Sequence, residues 1–101
     1  MEIYKEIQGF KSIYTISNKG NVKNIKTNKI LKPGRHTQGY MQIVLSINNK
    51  QKTFKIHRLI AQTFLEHKIK GKPFDVKFID GNYRNLKLSN LSINFRKVIK
   101  L

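Results

Sequence analysis

Hydrophobic and polar positions alternate with a period of two through much of the first half of this chain, then switch to helical spacing. The clearest alternation covers residues 40–47, where Met41, Ile43, Leu45 and Ile47 share one face and Gln42 and Ser46 the other, the pattern of a half-buried strand. Asn48-Asn49-Lys50 then turns into Lys52-Thr53-Phe54-Lys55-Ile56, so the two runs predict a hairpin. Upstream, Ile13-Tyr14-Thr15-Ile16 leads into Ser17-Asn18-Lys19-Gly20, where Asn and Gly tolerate the positive φ of a tight turn, and residues 22–25 return as a second strand. Thr27-Asn28-Lys29 turns again into Ile30-Leu31-Lys32, and Pro33-Gly34 is expected to end that piece.

The period changes after the hairpin. Ile56, Leu59, Ile60, Thr63 and Phe64 recur at helical spacing, predicting an amphipathic helix over residues 57–65 with Arg58, Gln62 and Glu66 on its wet side. Residues 66–73 read as a basic loop, residues 74–79 as a strand, and Asp80-Gly81-Asn82 as a turn. Leu86, Leu88 and Leu91, interspersed with Asn90, Asn94 and Arg96, predict a short helix. The fold class is therefore α+β: N-terminal antiparallel strands, one central helix, and a C-terminal unit of strands and helix. At 101 residues the chain suits one domain.

Charge changes the picture most. Twenty-one Lys and Arg oppose five Asp and Glu, a formal net charge of +16, whereas solubility alone needs about 2–8. Residues 1–50 carry nine basic and two acidic side chains and residues 51–101 twelve and three, so the excess belongs to the whole domain and not to a detachable arm. A polyanionic partner follows, nucleic acid ahead of an anionic membrane surface or an acidic protein. Lys is far commoner than Arg, as in proteins encoded by AT-rich genomes, which accounts for part of the excess. There is no Cys, which excludes disulfides and thiolate metal sites. No apolar run approaches a membrane span and Met1-Glu2-Ile3-Tyr4-Lys5 lacks a signal-peptide pattern, so the expected location is intracellular or packaged in a particle.

Four blocks of residues carry a resemblance. Tyr4-Lys5-Glu6-Ile7-Gln8-Gly9-Phe10 followed by Tyr14-Thr15-Ile16-Ser17-Asn18-Lys19-Gly20-Asn21-Val22-Lys23 resembles the nuclease-associated modular motif of phage HNH homing endonucleases. Gly39-Tyr40 opens a strand as in that family, and Ile56-His57-Arg58-Leu59-Ile60-Ala61 resembles its Val-His-Arg-Leu-Val-Ala. Val76-Lys77-Phe78-Ile79-Asp80-Gly81-Asn82-Tyr83-Arg84-Asn85, then Asn90-Leu91, resembles its Val-Asn/Asp-His-Ile-Asp-Gly-Asn stretch and the Asn-Leu that follows. The resemblance covers nearly the whole length. It implies modular DNA-binding strands over residues 1–50 and, over residues 51–101, a degenerate form of the ββα unit with which the family holds a divalent metal and cuts DNA.

The departures lie in the chemistry. The resemblance places the general base at Phe78, which cannot accept a proton from water, and the neighbouring metal-site residue at Lys77, which repels Mg²⁺. The further metal residue of the helix falls between Asn94 and Ile99, best at Ile99. Loss of a general base costs about 10²–10⁴ in rate, and loss of metal ligation removes most of the remaining electrostatic stabilisation. The expectation is a protein without enzymatic activity, cofactor or metal that binds DNA mainly through its phosphate backbone.

The residues expected to make those contacts are Lys23, Lys26, Lys32 and Arg35 on the N-terminal turns, Arg58 at the helix start, and Lys77, Arg84, Lys87, Arg96 and Lys97. Arg58 could instead pair with Glu66 or Asp80. His57 is read as a structural support of the helix start, His36 and His67 as surface residues, and Asp80-Gly81-Asn82 as a turn in preference to a Mg²⁺ site with Asp75. Tyr83 either stacks on or wedges into nucleic acid, or packs on the domain. Two other classes of function stay open: an active nuclease with a relocated site using His57 and Asp80, and a basic protein-interaction or inhibitor module. RNA stays open as a partner beside DNA, as do monomer and homodimer.

Overall fold

A computed structural model describes residues 1–96, and the expectations placed on Lys97 and Ile99 lie outside those residues. Three small antiparallel sheets surround one helix. The first is a meander of β1 (Tyr4–Glu6), β2 (Tyr14–Ser17) and β3 (Val22–Asn24). The second joins β4 (Gly34–Arg35), β5 (Met41–Ile47) and β6 (Lys50–Lys55), and the third pairs β7 (Phe74–Phe78) with β8 (Leu91–Phe95). Helix α1 (Ile56–Phe64) follows β6 without a loop.

The alternation in β5 does what the pattern requires. Ile43 and Leu45 are buried while Val44 between them faces solvent. Ile47 pairs with Lys50, which leaves a two-residue loop. Asn48 and Asn49 both take positive φ, 52° and 63°, the backbone of a type I′ turn whose twist matches a hairpin. The piece from Ile30 to Lys32, bridged to Lys23 at Ile30, ends at Pro33-Gly34 as expected; Gly34 and Arg35 then pair with Gln42 and Met41, adding β4 to the edge of β5.

Helix α1 buries Ile56, Leu59, Ile60 and Ala61 and leaves Gln62 exposed. Ile56, Leu59 and Ile60 cluster with Tyr14, Ile16 and Val22 from the first sheet, Ile7 and Phe10 from its β1–β2 connection, Ile43 and Leu45 from the second, and Leu91 from the third. Each fully buried Ile or Leu of this set stabilises the fold by about 1.5–3 kcal/mol. Ser46 N donates to the Tyr14 hydroxyl at 3.2 Å, tying the second sheet to the first across the core. Gly20, at φ +91°, lies against Leu86, whose Cβ would stand 2.7 Å from any Cβ added there. The first hairpin and the segment after residue 85 thus press together at a point where only glycine fits.

Two expectations are corrected. The basic loop at residues 66–73 contains a helical turn, α2 (Glu66–Ile69), because Ile69 is drawn in against Ala61 and Phe74. The short helix expected around Leu86, Leu88 and Leu91 is a 3-10 turn at Leu88–Asn90 that runs directly into β8. The backbone of β7 needs a partner, and β8 supplies it with Val76 opposite Ile93 and Phe78 opposite Leu91.

Candidate nucleic-acid interface

The loop before β5, the start of α1, the end of β7 and the turn after it converge on one cleft of about 500 Å³, lined by Gln38, Tyr40, His57, Lys77, Phe78 and Tyr83 among others. The rings form a continuous series. His36 stacks on Tyr40 at 4.3 Å, and Tyr40 meets His57 edge-on at 5.6 Å. His57 lies 5.0 Å from Phe78, and Phe78 lies 5.1 Å from Tyr83. His57 faces this cleft because α1 starts immediately after β6, so its ring points toward the strand that carries Phe78.

His57 is buried, and its Nδ1 has no hydrogen-bond partner among the described residues. Burial, reinforced by the positive charges of Lys55 and Arg58, pushes its pKa down to about 4, so the ring is neutral at neutral pH. Lys55 Nζ sits 5.0 Å from the Tyr40 ring, which adds a cation–π contact at the rim.

The turn after β7 is held by Asp80. Its carboxylate accepts hydrogen bonds from the Asn85 side chain (2.8 Å), the Asn82 backbone N–H (2.8 Å) and the Asn90 side chain (2.9 Å). These donors, Asn85 first, hold its carboxyl below the usual carboxylate range. Asn90, buried, also accepts from the Asp80 N–H at 3.1 Å and so closes the turn from both sides. The donor set does not fit a metal ion. Lys77 and Phe78 offer no oxygen ligand, both Asp80 oxygens already bind amides, and no three His, Asp or Glu side chains cluster among the described residues.

Among the described residues the sequence-selected cations fall into four settings. Lys77 lines the cleft, and Arg35 and Arg84 line an adjoining depression of about 300 Å³ that shares Gly81 and Tyr83 with it. Lys23, over the Tyr4 ring at 4.2 Å, stands on the N-terminal sheet, with Lys26 and Lys32 exposed in the segment that follows. Lys87 lies beside Lys19 in a separate hollow. Arg58 and Arg96 are engaged elsewhere. Arg58 donates to the Phe74 carbonyl at 2.9 Å, with its guanidinium carbon 4.1 Å from the Phe74 ring centre, and makes neither expected carboxylate pair. Arg96 grips Asp75 through two nitrogens at 2.6–3.1 Å, the ion pair found among the described residues. Glu2 is likewise occupied, accepting from Ser17 Oγ and Asn21 Nδ2 at 2.6 Å each. With three of the five carboxylates so engaged, most of the basic side chains stand without a neutralising partner.

Tyr40, Gln38 and Lys55 were not singled out from the sequence. Tyr40 reads there only as the start of a strand, and its part in the cleft depends on where α1 and β7 are packed.

Known proteins resemble this chain in sequence and in fold. The NUMOD4 motif matches residues 2–46. The DNA endonuclease I-HmuI of Bacillus phage SP01 is 42% identical over 95 residues, covering 94% of this chain and 51% of the phage protein. Two uncharacterized HNH endonucleases of Acanthamoeba polyphaga mimivirus are 38% and 42% identical over 78 and 95 residues, 23% of each viral protein. The chain thus spans about half the length of the phage relative and less of the others. A solved structure of the HNH homing endonuclease I-HmuI superposes with a TM-score of 0.78 at 36% identity, covering 92% of this chain and 52% of that one. By sequence and by fold, this is an HNH endonuclease-like protein that carries the NUMOD4 motif.

Proposed function

We propose that this protein binds DNA without cutting it, holding the phosphate backbone with a surface descended from an HNH endonuclease. The observation that carries the reading is Phe78. Where the resemblance calls for a histidine base, an aromatic ring is wedged between His57 and Tyr83, with Lys77 preceding it in the strand. A ring in that seat cannot take a proton, and a lysine at the neighbouring metal-site position supplies no ligand for a divalent cation. The solved relative is described for DNA binding and cleavage, which supports DNA as the partner.

In this reading residues 1–50 are the modular DNA-binding strands and residues 51–101 a degenerate HNH-like unit. Lys23, Lys26, Lys32, Arg35, Lys77, Arg84 and Lys87 neutralise phosphates. Arg58 supports the fold through Phe74, and Arg96 exchanges Asp75 for DNA. A relocated nuclease site using His57 and Asp80 is disfavoured, because such a site needs carboxylate oxygens free to hold a metal ion. The Asp80 oxygens are engaged by amides, and no three His, Asp or Glu side chains cluster among the described residues. Among the described residues no helix is long and apolar enough to cross a membrane. Such binding suits an intracellular viral role in packaging, compacting or masking DNA.

The test is duplex binding across salt concentrations. Six or more phosphate contacts lose roughly 10³-fold or more in affinity between about 50 and 200 mM salt. Absence of any complex at about 50 mM salt contradicts the reading.

A further inference from the structure

We propose that Tyr83 is a stacking seat for an unpaired nucleobase, which makes single-stranded or locally opened DNA the ligand of this cleft. The inference rests on the DNA-binding reading above and adds the class of strand. Tyr83 is 45% exposed, yet its ring is held in place. Phe78 supports it at 5.1 Å, and the backbone of Gly39 lies so close that a Cβ there would be 3.5 Å from Tyr83 Cδ2. Behind Phe78 the aromatic series continues through His57 to Tyr40, so the wall cannot yield easily. An ordered ring with nearly half its surface open is ready to stack without paying to be ordered first.

The charges around it fit a nucleotide strand. Tyr83 is shared by the cleft, whose lining includes Lys77, and by the depression that Arg35 and Arg84 line. A backbone crossing from one to the other places its base at the ring. Bases in a duplex already stack on each other and offer only their edges, whereas an unpaired base offers a π-face. Asp80, the nearest carboxylate of the turn, is occupied by Asn82, Asn85 and Asn90.

The chain contains no Trp, so Tyr83→Trp introduces a single indole whose emission a stacked base quenches. Oligothymidylate is expected to quench it more strongly than an oligomer of the same length made of abasic sites. In the otherwise unaltered protein, oligothymidylate is expected to bind more tightly than that abasic oligomer. Tyr83→Ala is expected to weaken oligothymidylate binding by roughly 5- to 100-fold, and duplex binding by less. Tyr83→Phe is expected to keep the affinity, since the ring and not the hydroxyl makes the contact. Equal quenching and affinity for the two oligomers, or an equal change on single strand and duplex with Tyr83→Ala, overturns the inference. If duplex binding keeps its salt dependence in that case, the DNA-binding reading stands and only the stacking seat falls. If neither form of DNA binds at about 50 mM salt, both fall.

Discussion

The Phe78 ring lies 5.0 Å from the His57 ring, and this contact joins the start of the central helix to the strand where the resemblance expects a histidine base. Enclosed by Tyr40 and Phe78, with Lys55 and Arg58 nearby, the imidazole is held in its neutral form, and its Nδ1 has no hydrogen-bond partner among the described residues.

The first prediction concerns pH. Unfolded, His57 titrates near 6.5; folded, near 4. Below pH 6.5 the unfolded chain takes up a proton that the folded one refuses. Stability from this residue is therefore complete above pH 6.5 and falls progressively toward pH 4, by up to roughly 3 kcal/mol. Denaturant unfolding of the protein and of His57→Gln at several pH values isolates the effect, because the carboxylates change both alike. A difference between the two that stays constant from pH 7 to about pH 4 contradicts this account of His57.

A second prediction concerns the contact between Gly20 and Leu86. Gly20→Ala puts a methyl group 2.7 Å from Leu86 Cβ at a φ of +91°, where L-residues are strained. Expected destabilisation is about 2–4 kcal/mol, read from the midpoint of denaturant unfolding. Gly9→Ala, at φ +87° with nothing within 4 Å, is expected to cost about 1 kcal/mol because only backbone strain remains. Equal costs at the two sites contradict the close approach.

Two arginines are expected to separate stability from binding. Arg58→Ala removes the hydrogen bond to the Phe74 carbonyl and the guanidinium packed on its ring, and is expected to cost about 2–3 kcal/mol of stability. Arg84→Ala, at an exposed position, is expected to leave stability within about 0.5 kcal/mol. It should lower the slope of log affinity against log salt by about one. Unfolding and salt titration of both variants check this, and an unchanged salt slope for Arg84→Ala removes it from the interface.

Much of this architecture is readable locally. Residues 41–47 announce a strand because side chains alternate across a pleat, and Asn48-Asn49 announce their turn because asparagine tolerates left-handed backbone. The helix differs from expectation by one residue at each end, beginning at Ile56 and ending at Phe64. Strand β8 was hidden because Leu88 and Leu91 are three apart, which imitates a helix, while the demand for a strand comes from β7, many residues away. The turn at Glu66–Ile69 was hidden for a similar reason, since only the packed neighbours of Ile69 call it in.

The site was legible in part. Lys77 and Phe78 stand out against a recognisable motif. The tie from Arg58 to Phe74 spans sixteen residues, and the meeting of Tyr40, His57 and Phe78 draws on three separate elements. Neither leaves a local mark in the sequence.

The central claim is most directly tested with supercoiled plasmid, incubated with the protein and Mg²⁺ or Mn²⁺ at low salt and analysed before and after the protein is removed. The account predicts plasmid that is retarded while protein is present and still supercoiled once it is stripped away. Nicked or linear product that depends on the metal and is lost with His57→Ala would contradict it.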